Sequence, residues 1–412
     1  MRQLFRAGIG VMVVCAWVGC SDAPTAEAPD IEAVTDEETV SPVAAAATDS
    51  SDSKNDVLLA ALAEAAENND PLPVAKDEKD KKKVEVAKAA QDALDLTEAL
   101  KASALRARVD GNGKPIVLDF HGRYLTDQGL AKLKGQTTLQ QLFLNRQEGI
   151  TDIGLEHLKG LTALRTLHLS ETPIGDSNLE ALATLKALQE LDLSGTKVSS
   201  AGLEHIKSLT ALIELNLSRS PVTDSGLVYL KLLTKLQRLD LANTEVGSAG
   251  LESLSALKLA ELRLDGTRVD DAGLTHLKSM TSLRQLVLSA GIGDKGLESV
   301  KPLTGLVRLD VGGSGTISDV GVEHLKGLTA LQRLDLSGTG VTDSGLLSVK
   351  GLGNLQRLNL ARTQVTDSGL RHLRALSNLR ELDLTETKMR PGAVRQLQAA
   401  LPNCQILGSD DG

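Results

Sequence analysis

The chain has 412 residues, of which 41% are hydrophobic but only 1% aromatic, so Leu, Val, Ala and Ile must build nearly all of any core. A core without large rings suits thin repeated layers better than one globular centre, and a formal net charge of −9 argues against nucleic acid as a partner. The three cysteines, Cys15, Cys20 and Cys404, form no zinc spacing and no CxxC pair, which leaves little scope for disulfides.

The N-terminus reads MRQLFR and then, after Ala7, GIGVMVVCAWVGC. Two arginines precede an apolar stretch from Gly8 to Cys20, too short to cross a bilayer as a mature helix, which is the layout of a signal peptide over 1–19. The closing WVGC resembles the lipobox of bacterial lipoproteins, with Gly19 before the cut and Trp17 where Leu is usual. That resemblance implies lipidation at Cys20 as the new N-terminus; the alternative is an ordinary secreted protein cut nearby. Residues 20–56 read as an acidic tether. Ten acids, from Asp22 to Asp56, stand against Lys54 alone, and a segment so poor in apolar material cannot offset its ordering entropy, so it is expected to be disordered. A lipid followed by such a spacer predicts a membrane-anchored protein of the cell envelope, on the extracytoplasmic side.

Residues 57–114 are expected to form a helical segment and a capping hairpin. Val57 to Glu67 and roughly Asp80 to Arg108 are Ala-rich and helical in propensity, with Pro71 and Pro73 between them. RARVDGNGKPIVLDF (106–120) then predicts a hairpin, with a Gly-rich turn before a strand from Ile116 to Phe120. DGN could open a calcium loop, but Lys114 and Pro115 fall where a further oxygen ligand and the obligatory Gly would stand, so a plain turn is expected.

From Pro115 to residue 403 a unit of about 24 residues recurs. Its copies start at Leu139, Leu164, Leu188, Leu212, Leu236, Leu259, Leu283, Leu306, Leu331, Leu355 and Leu379, each close to LxxLxLxxTxVTDxGLxxLKxLTx. In LQRLDLSGT (331–339) the alternation through Leu334 and Leu336 predicts a short strand, and Leu346, Val349 and Leu352 recur at helical spacing. One strand and one helix cannot enclose a core, but stacked copies can. The expected class is therefore an α/β solenoid, with parallel strands on the concave side and helices on the convex side.

VTDSGL occurs verbatim at 222–227, 341–346 and 365–370. Asp, Ser and Thr are catalytic residue types, but the periodicity points to structure. The Asp slot (Asp127, Asp152, Asp176, Asp224, Asp271, Asp294, Asp319, Asp343, Asp367, with Ser200 and Ser248 in two copies) is read as a row of helix N-caps. Gly two residues on (Gly129, Gly154, Gly226, Gly345) marks close packing. Thr after the strand (Thr172, Thr196, Thr244, Thr267, Thr339, Thr363, Thr387) is expected to bond backbone groups that the turn leaves free. MRPGAVRQLQAALPNCQIL departs from the motif at Pro391 and predicts a last helix and strand, with residues 404–412 as cap strand and tail and Cys404 as a small buried hydrophobe.

These motifs resemble the leucine-rich repeat. The ITDxGL phrasing is similar to the ribonuclease-inhibitor-like and cysteine-containing subfamilies, the latter found in F-box ubiquitin-ligase adaptors. The Thr slot holds no Cys, the repeat is shorter and no F-box-like segment precedes it, so an adaptor role does not carry over. Short repeats behind a lipoprotein leader resemble bacterial extracytoplasmic leucine-rich-repeat proteins. The resemblance implies a horseshoe whose concave strand face recognises a protein ligand.

No GxSxG, HExxH or P-loop is present, and no catalytic, cofactor-binding or metal-binding residue is assigned. His157, His205, His276, His324 and His372 share one repeat position but never fall in adjacent copies, so they cannot share a zinc with bonds of about 2 Å. The outward central column of the strands should read Asp119, Phe143, His168, Asp192, Asn216, Asp240, Arg263, Val287, Asp310, Asp335, Asn359, Asp383. In the preceding outward column Glu214, Arg238 and Glu261 should form an alternating ladder, and Arg308 and Arg333 should neutralise Asp310 and Asp335. The candidate protein-binding residues are Asp119, His121, Phe143, His168 and Asp192, because Phe143 is the column's one aromatic; the alternative is that Phe143 merely packs under the capping hairpin. A monomeric protein-binding module is expected; the alternative is a structural spacer without a discrete ligand.

Overall fold

The computed structural model describes residues 106–408, apart from 122. The leader over 1–19, Cys20, the tether over 20–56 and the helical stretches expected before residue 106 lie outside the described residues. β1 (Arg106–Val109) and β2 (Pro115–Asp119) form the expected antiparallel hairpin. Its turn is closed by Asp110, whose Oδ1 accepts the N–H groups of Asn112 (2.8 Å) and Lys114 (2.9 Å). That carboxylate oxygen serves the turn, as the plain-turn reading requires.

Every later strand joins in parallel, in chain order, to give one 14-stranded sheet. The repeats supply β3 (Gln141–Phe143), β4 (Thr166–His168), β5 (Glu190–Asp192), β6 (Glu214–Asn216) and β7 (Arg238–Asp240). There follow β8 (Glu261–Arg263), β9 (Gln285–Val287), β10 (Arg308–Asp310), β11 (Arg333–Asp335), β12 (Arg357–Asn359) and β13 (Glu381–Asp383). β14 (Gln405–Leu407) extends the sheet after the last repeat.

Each repeat strand is three residues long, with a buried Leu in the middle and its two neighbours turned toward the outer face. Leu142, Leu167, Leu191, Leu215 and their successors stack in register on the inner side, within one continuous cluster that runs from Leu118 to Cys404. The opposite wall is made of short helices. α-Helical turns such as Asp152–Leu155 and Asp224–Leu227 run directly into 3₁₀ turns, and Leu179–Thr184, Ala249–Leu254 and Leu370–Ala375 are 3₁₀ alone. Segments this short do not hold as isolated helices and are stabilised by their neighbours in the stack. Among the described residues no helix is long and apolar enough to cross a membrane.

The Asp slot does not cap the helices as expected. In the well-formed copies the cap is the residue before it: Thr151 accepts from Ile153 N–H, Ser318 from Val320 N–H, and Asp270 from Ala272 and Gly273 N–H. The Asp that follows turns its carboxylate to the next repeat. Asp127 accepts both the N–H (2.8 Å) and the hydroxyl (2.6 Å) of Thr151; Asp319 does the same with Thr342, and Asp343 with Thr366. Where Gly occupies the receiving position one bond remains, as in Asp152–Gly175 and Asp224–Gly247. Ser200 and Ser248 substitute by accepting from Thr223 N–H (2.9 Å) and Asp270 N–H (3.1 Å). A carboxylate has acceptor sites enough for two donors, and stacking brings those donors alongside.

The Gly two residues on fits this arrangement. A Cβ on Gly226 would lie 2.9 Å from both Ser200 Cα and Leu203 Cδ1 of the preceding repeat. VTDSGL is thus a joint between repeats.

The Thr slot behaves as expected. The hydroxyls of Thr172, Thr196, Thr244, Thr267, Thr339, Thr363 and Thr387 each donate to the carbonyl three residues back, at 2.5–2.7 Å. Gln147 fills that slot in the first full repeat, where its amide donates to Phe120 O and Arg123 O and accepts from Leu125 N–H. The chain closes with the helix Pro391–Ala400, whose first residue is preorganised for a helix start. Cys404 is 3% exposed, and burial pushes its thiol up to about 11, against any role as a nucleophile.

Candidate functional site

The pleat turns two residues of each repeat strand toward the outer face, and the observed register makes columns of them across the sheet. Asp119, Phe143, His168, Asp192 and Asn216 are direct neighbours, as are Asp310, Asp335, Asn359 and Asp383. The central column is therefore the one the sequence predicts.

Most of its members also serve the backbone. Asp119 Oδ1 accepts the N–H of His121 (2.9 Å) and Asp192 Oδ1 that of Ser194 (2.9 Å). Asn216, Asp240, Asp310, Asp335, Asn359 and Asp383 make the same bond two residues on. This turn-forming contact explains why Asp and Asn fill the column. Four residues do not make this bond: Phe143, His168, Arg263 and Val287. Val287 is buried, and Arg263 lies between Asp240 (3.2 Å) and Asp265 (3.2 Å), which balance its charge.

The two remaining departures, Phe143 and His168, sit side by side on β3 and β4. Their rings meet edge to face, with centroids 4.9 Å apart and an interplanar angle of 84°. His168 Nε2 also reaches Glu190 Oε1 at 2.7 Å. Burial disfavours the charged imidazole, but the hydrogen bond and charge of Glu190, with Asp192 and Glu214 beyond, hold its pKa above the ordinary value. Glu190 is correspondingly lowered, by the bond from His168 against its burial, with help from Arg238. Of the five residues singled out from sequence, Phe143 and His168 are in contact. Asp119 and Asp192 flank them in register, each with one oxygen committed to the backbone, and His121 is exposed beside Asp119. Sequence reading puts Glu190 in the preceding outward column but not among the five candidates; the signal for including it was its place one strand on and two residues before the column.

Charge pairing elsewhere on the face departs from expectation twice. Arg238 places Nε and Nη2 on the same Glu214 oxygen (2.6 and 2.5 Å), so its fork is engaged on that side and makes no ion pair with Glu261 among the described residues. The Glu261 carboxyl is raised by burial, Arg238 and Arg263 opposing and Glu214 adding to the rise. Arg308 does reach Asp310 (3.5 Å), but Asp335 takes the amide of Asn359 (2.9 Å) and not Arg333.

The five same-slot histidines are half-buried on the helical side, one to a repeat and never in adjacent repeats.

A sheet of parallel strands added one per repeat, backed by short helices, is a leucine-rich-repeat solenoid, a fold that typically serves as a scaffold for protein interactions. Leucine-rich-repeat family models match residues 137–198, and separately 233–255, 327–349 and 354–373. Among solved structures, an internalin (inlF) of Listeria monocytogenes is similar at 23% identity with a TM-score of 0.56, over 76% of this chain and 94% of that one. A leucine-rich-repeat protein of Leptospira interrogans aligns at 18% identity with a TM-score of 0.42, over 76% and 98% of the two chains. A comparison with curated proteins finds no match.

Proposed function

We propose that this chain is a non-enzymatic recognition module that binds a protein ligand through the outer, concave face of its sheet. We propose further that it works at the extracytoplasmic side of a membrane, held there by lipid on Cys20. The observation that carries the binding reading is internal to the chain. The inner column is Leu in strand after strand, and the Thr, Asp and Gly slots are fixed by bonds and clearances of the fold. The paired rings of Phe143 and His168 replace the Asp or Asn that the same turn uses elsewhere. Phe143 is half-buried, and an aromatic on an outer face gives a large contact area for little side-chain entropy, which suits a binding hot spot.

A second reading, a spacer without a ligand, is favoured by one feature. Much of the face's charge is paired internally: Arg238 with Glu214, Arg263 with Asp240 and Asp265, Arg357 with Glu381.

The test is affinity capture from envelope extracts with wild type, Phe143→Ala and Asn359→Ala. Recognition at β3 and β4 predicts a specifically captured protein that Phe143→Ala loses and Asn359→Ala keeps. A folded Phe143→Ala protein that captures the same partner as wild type would refute that placement, and no specific capture at all would favour the spacer. For the anchor, mass spectrometry of the mature protein should find lipid on Cys20, and Cys20→Ala should lose membrane attachment. A soluble wild-type protein without lipid would overturn the tether.

A further inference from the structure

Arg308, Arg333 and Arg357 occupy the same position on three adjacent strands, directly opposite one another in register. Neighbouring strands are roughly 4.8 Å apart, so three arginine side chains leave the sheet from adjacent positions at that spacing. Like charges directly opposite on paired strands are destabilising, and the fold has no need of them here: the same column holds Gln285 before the row and Glu381 after it. The outer two are anchored within the sheet, Arg308 on Asp310 (3.5 Å) and Arg357 on Glu381 (3.1 Å). Arg333, the middle one, is exposed and has no carboxylate within ion-pair distance among the described residues. Its pKa is lowered by partial burial and by the charges of Arg357 and Arg308, with Glu381 opposing.

The row does not face a uniform field. The next outward column carries Asp310 and Asp335, the latter accepting from Asn359, and beyond it stand only the small residues Gly312, Ser337 and Ala361. A polyanion such as nucleic acid would meet repulsion from Asp310 and Asp335 as soon as it reached the arginines. A protein element with a line of carboxylates beside a line of amines or amides meets complementary charge on both columns. Each planar guanidinium can take a carboxylate through two parallel hydrogen bonds, which a lysine cannot do.

We infer that the β10–β12 sector of the concave face is a docking site for a protein segment bearing a row of carboxylates flanked by basic groups, with Arg333 as its anchor. The inference rests on the concave-face reading above and names the partner chemistry at a sector separate from Phe143.

The test uses the full chain and a fluorescein-labelled helical peptide of EAAK repeats, which sets Glu and Lys in adjacent rows, read by anisotropy at low salt. Controls are a QAAK-repeat peptide and a single-stranded oligonucleotide of similar length. Saturable binding of the EAAK peptide is expected, weakened at least about tenfold by Arg333→Glu and by loss of the carboxylates in QAAK, and less by Arg333→Lys. Phe143→Ala should leave it unchanged, so loss of the β3–β4 reading and loss of this one are told apart. Absence of binding, equal binding by folded Arg333→Glu protein, or tighter binding of the oligonucleotide would each overturn the assignment.

Discussion

At the joint between repeats Asp319 and Asp343 hold the same two groups of the following repeat, whereas on the sheet face Arg308 pairs with Asp310 and Arg333, equally in register, pairs with no carboxylate among the described residues. Both sets recur at the repeat period. The difference teaches that recurrence in the joint follows from a bond each copy must make, while on the face it follows from position alone. Substitutions in the joint should therefore lower stability, and substitutions on the face should alter recognition first.

The sharpest contrast comes from the layer beneath both regions. Leu336→Ala empties part of a fully buried column and should lower unfolding free energy by about 2–5 kcal/mol in chemical denaturation. Joint substitutions come next. Gly226→Ala forces a methyl against Ser200 and Leu203 of the preceding repeat and should cost about 1–3 kcal/mol. Asp343→Ala, which strips the N–H and hydroxyl of Thr366 of their acceptor, should cost about 1–3 kcal/mol, with Asp343→Asn losing less. If Asp343→Ala proved as harmless as Arg333→Ala in the same denaturation series, the distinction between joint and face would fail.

Arg219 tests the rim, where the fold needs a left-handed turn after the strand. It stands at φ 57°, in a slot that Gly195, Gly266 and Gly338 fill in other repeats. Arg219→Gly should relieve that strain and raise stability by up to about 1 kcal/mol, less whatever its contact with Glu171 (3.7 Å) supplies. A loss of stability would show that the side chain matters more to the fold than the strain does.

The smallest effect belongs to the pH dependence of the His168–Glu190 contact. His168 is raised on folding, so its contribution is fully present below its ordinary value of 6.5 and is lost as pH rises through the raised one. Glu190 is lowered, so its contribution is present above 4.5 and lost as pH falls through its lowered value. The stability difference between wild type and His168→Gln should thus be greatest between the two and shrink on either side. Melting curves across that range check it, and a difference independent of pH would contradict the assignment.

Sequence alone determined the solenoid, the strand positions, the buried Leu column, the Thr bonds and the order of side chains along the outer face. It could do so because a strand alternates with period two and parallel copies stack in phase, so register follows from the repeat itself. Tertiary structure alone decided where each polar side chain turned. The Asp slot read as a set of caps because Asp is a good cap within one helix; stacking placed an unpaired N–H of the next repeat within its reach, and the preceding Thr, Ser or Asp took the capping role. Glu261 and Arg333 looked neutralised because oppositely charged neighbours exist, but Arg238 was engaged by Glu214 and Asp335 by Asn359. A side chain within reach of several partners chooses by geometry and by what those partners already hold, and neither is written in a one-dimensional order of residues.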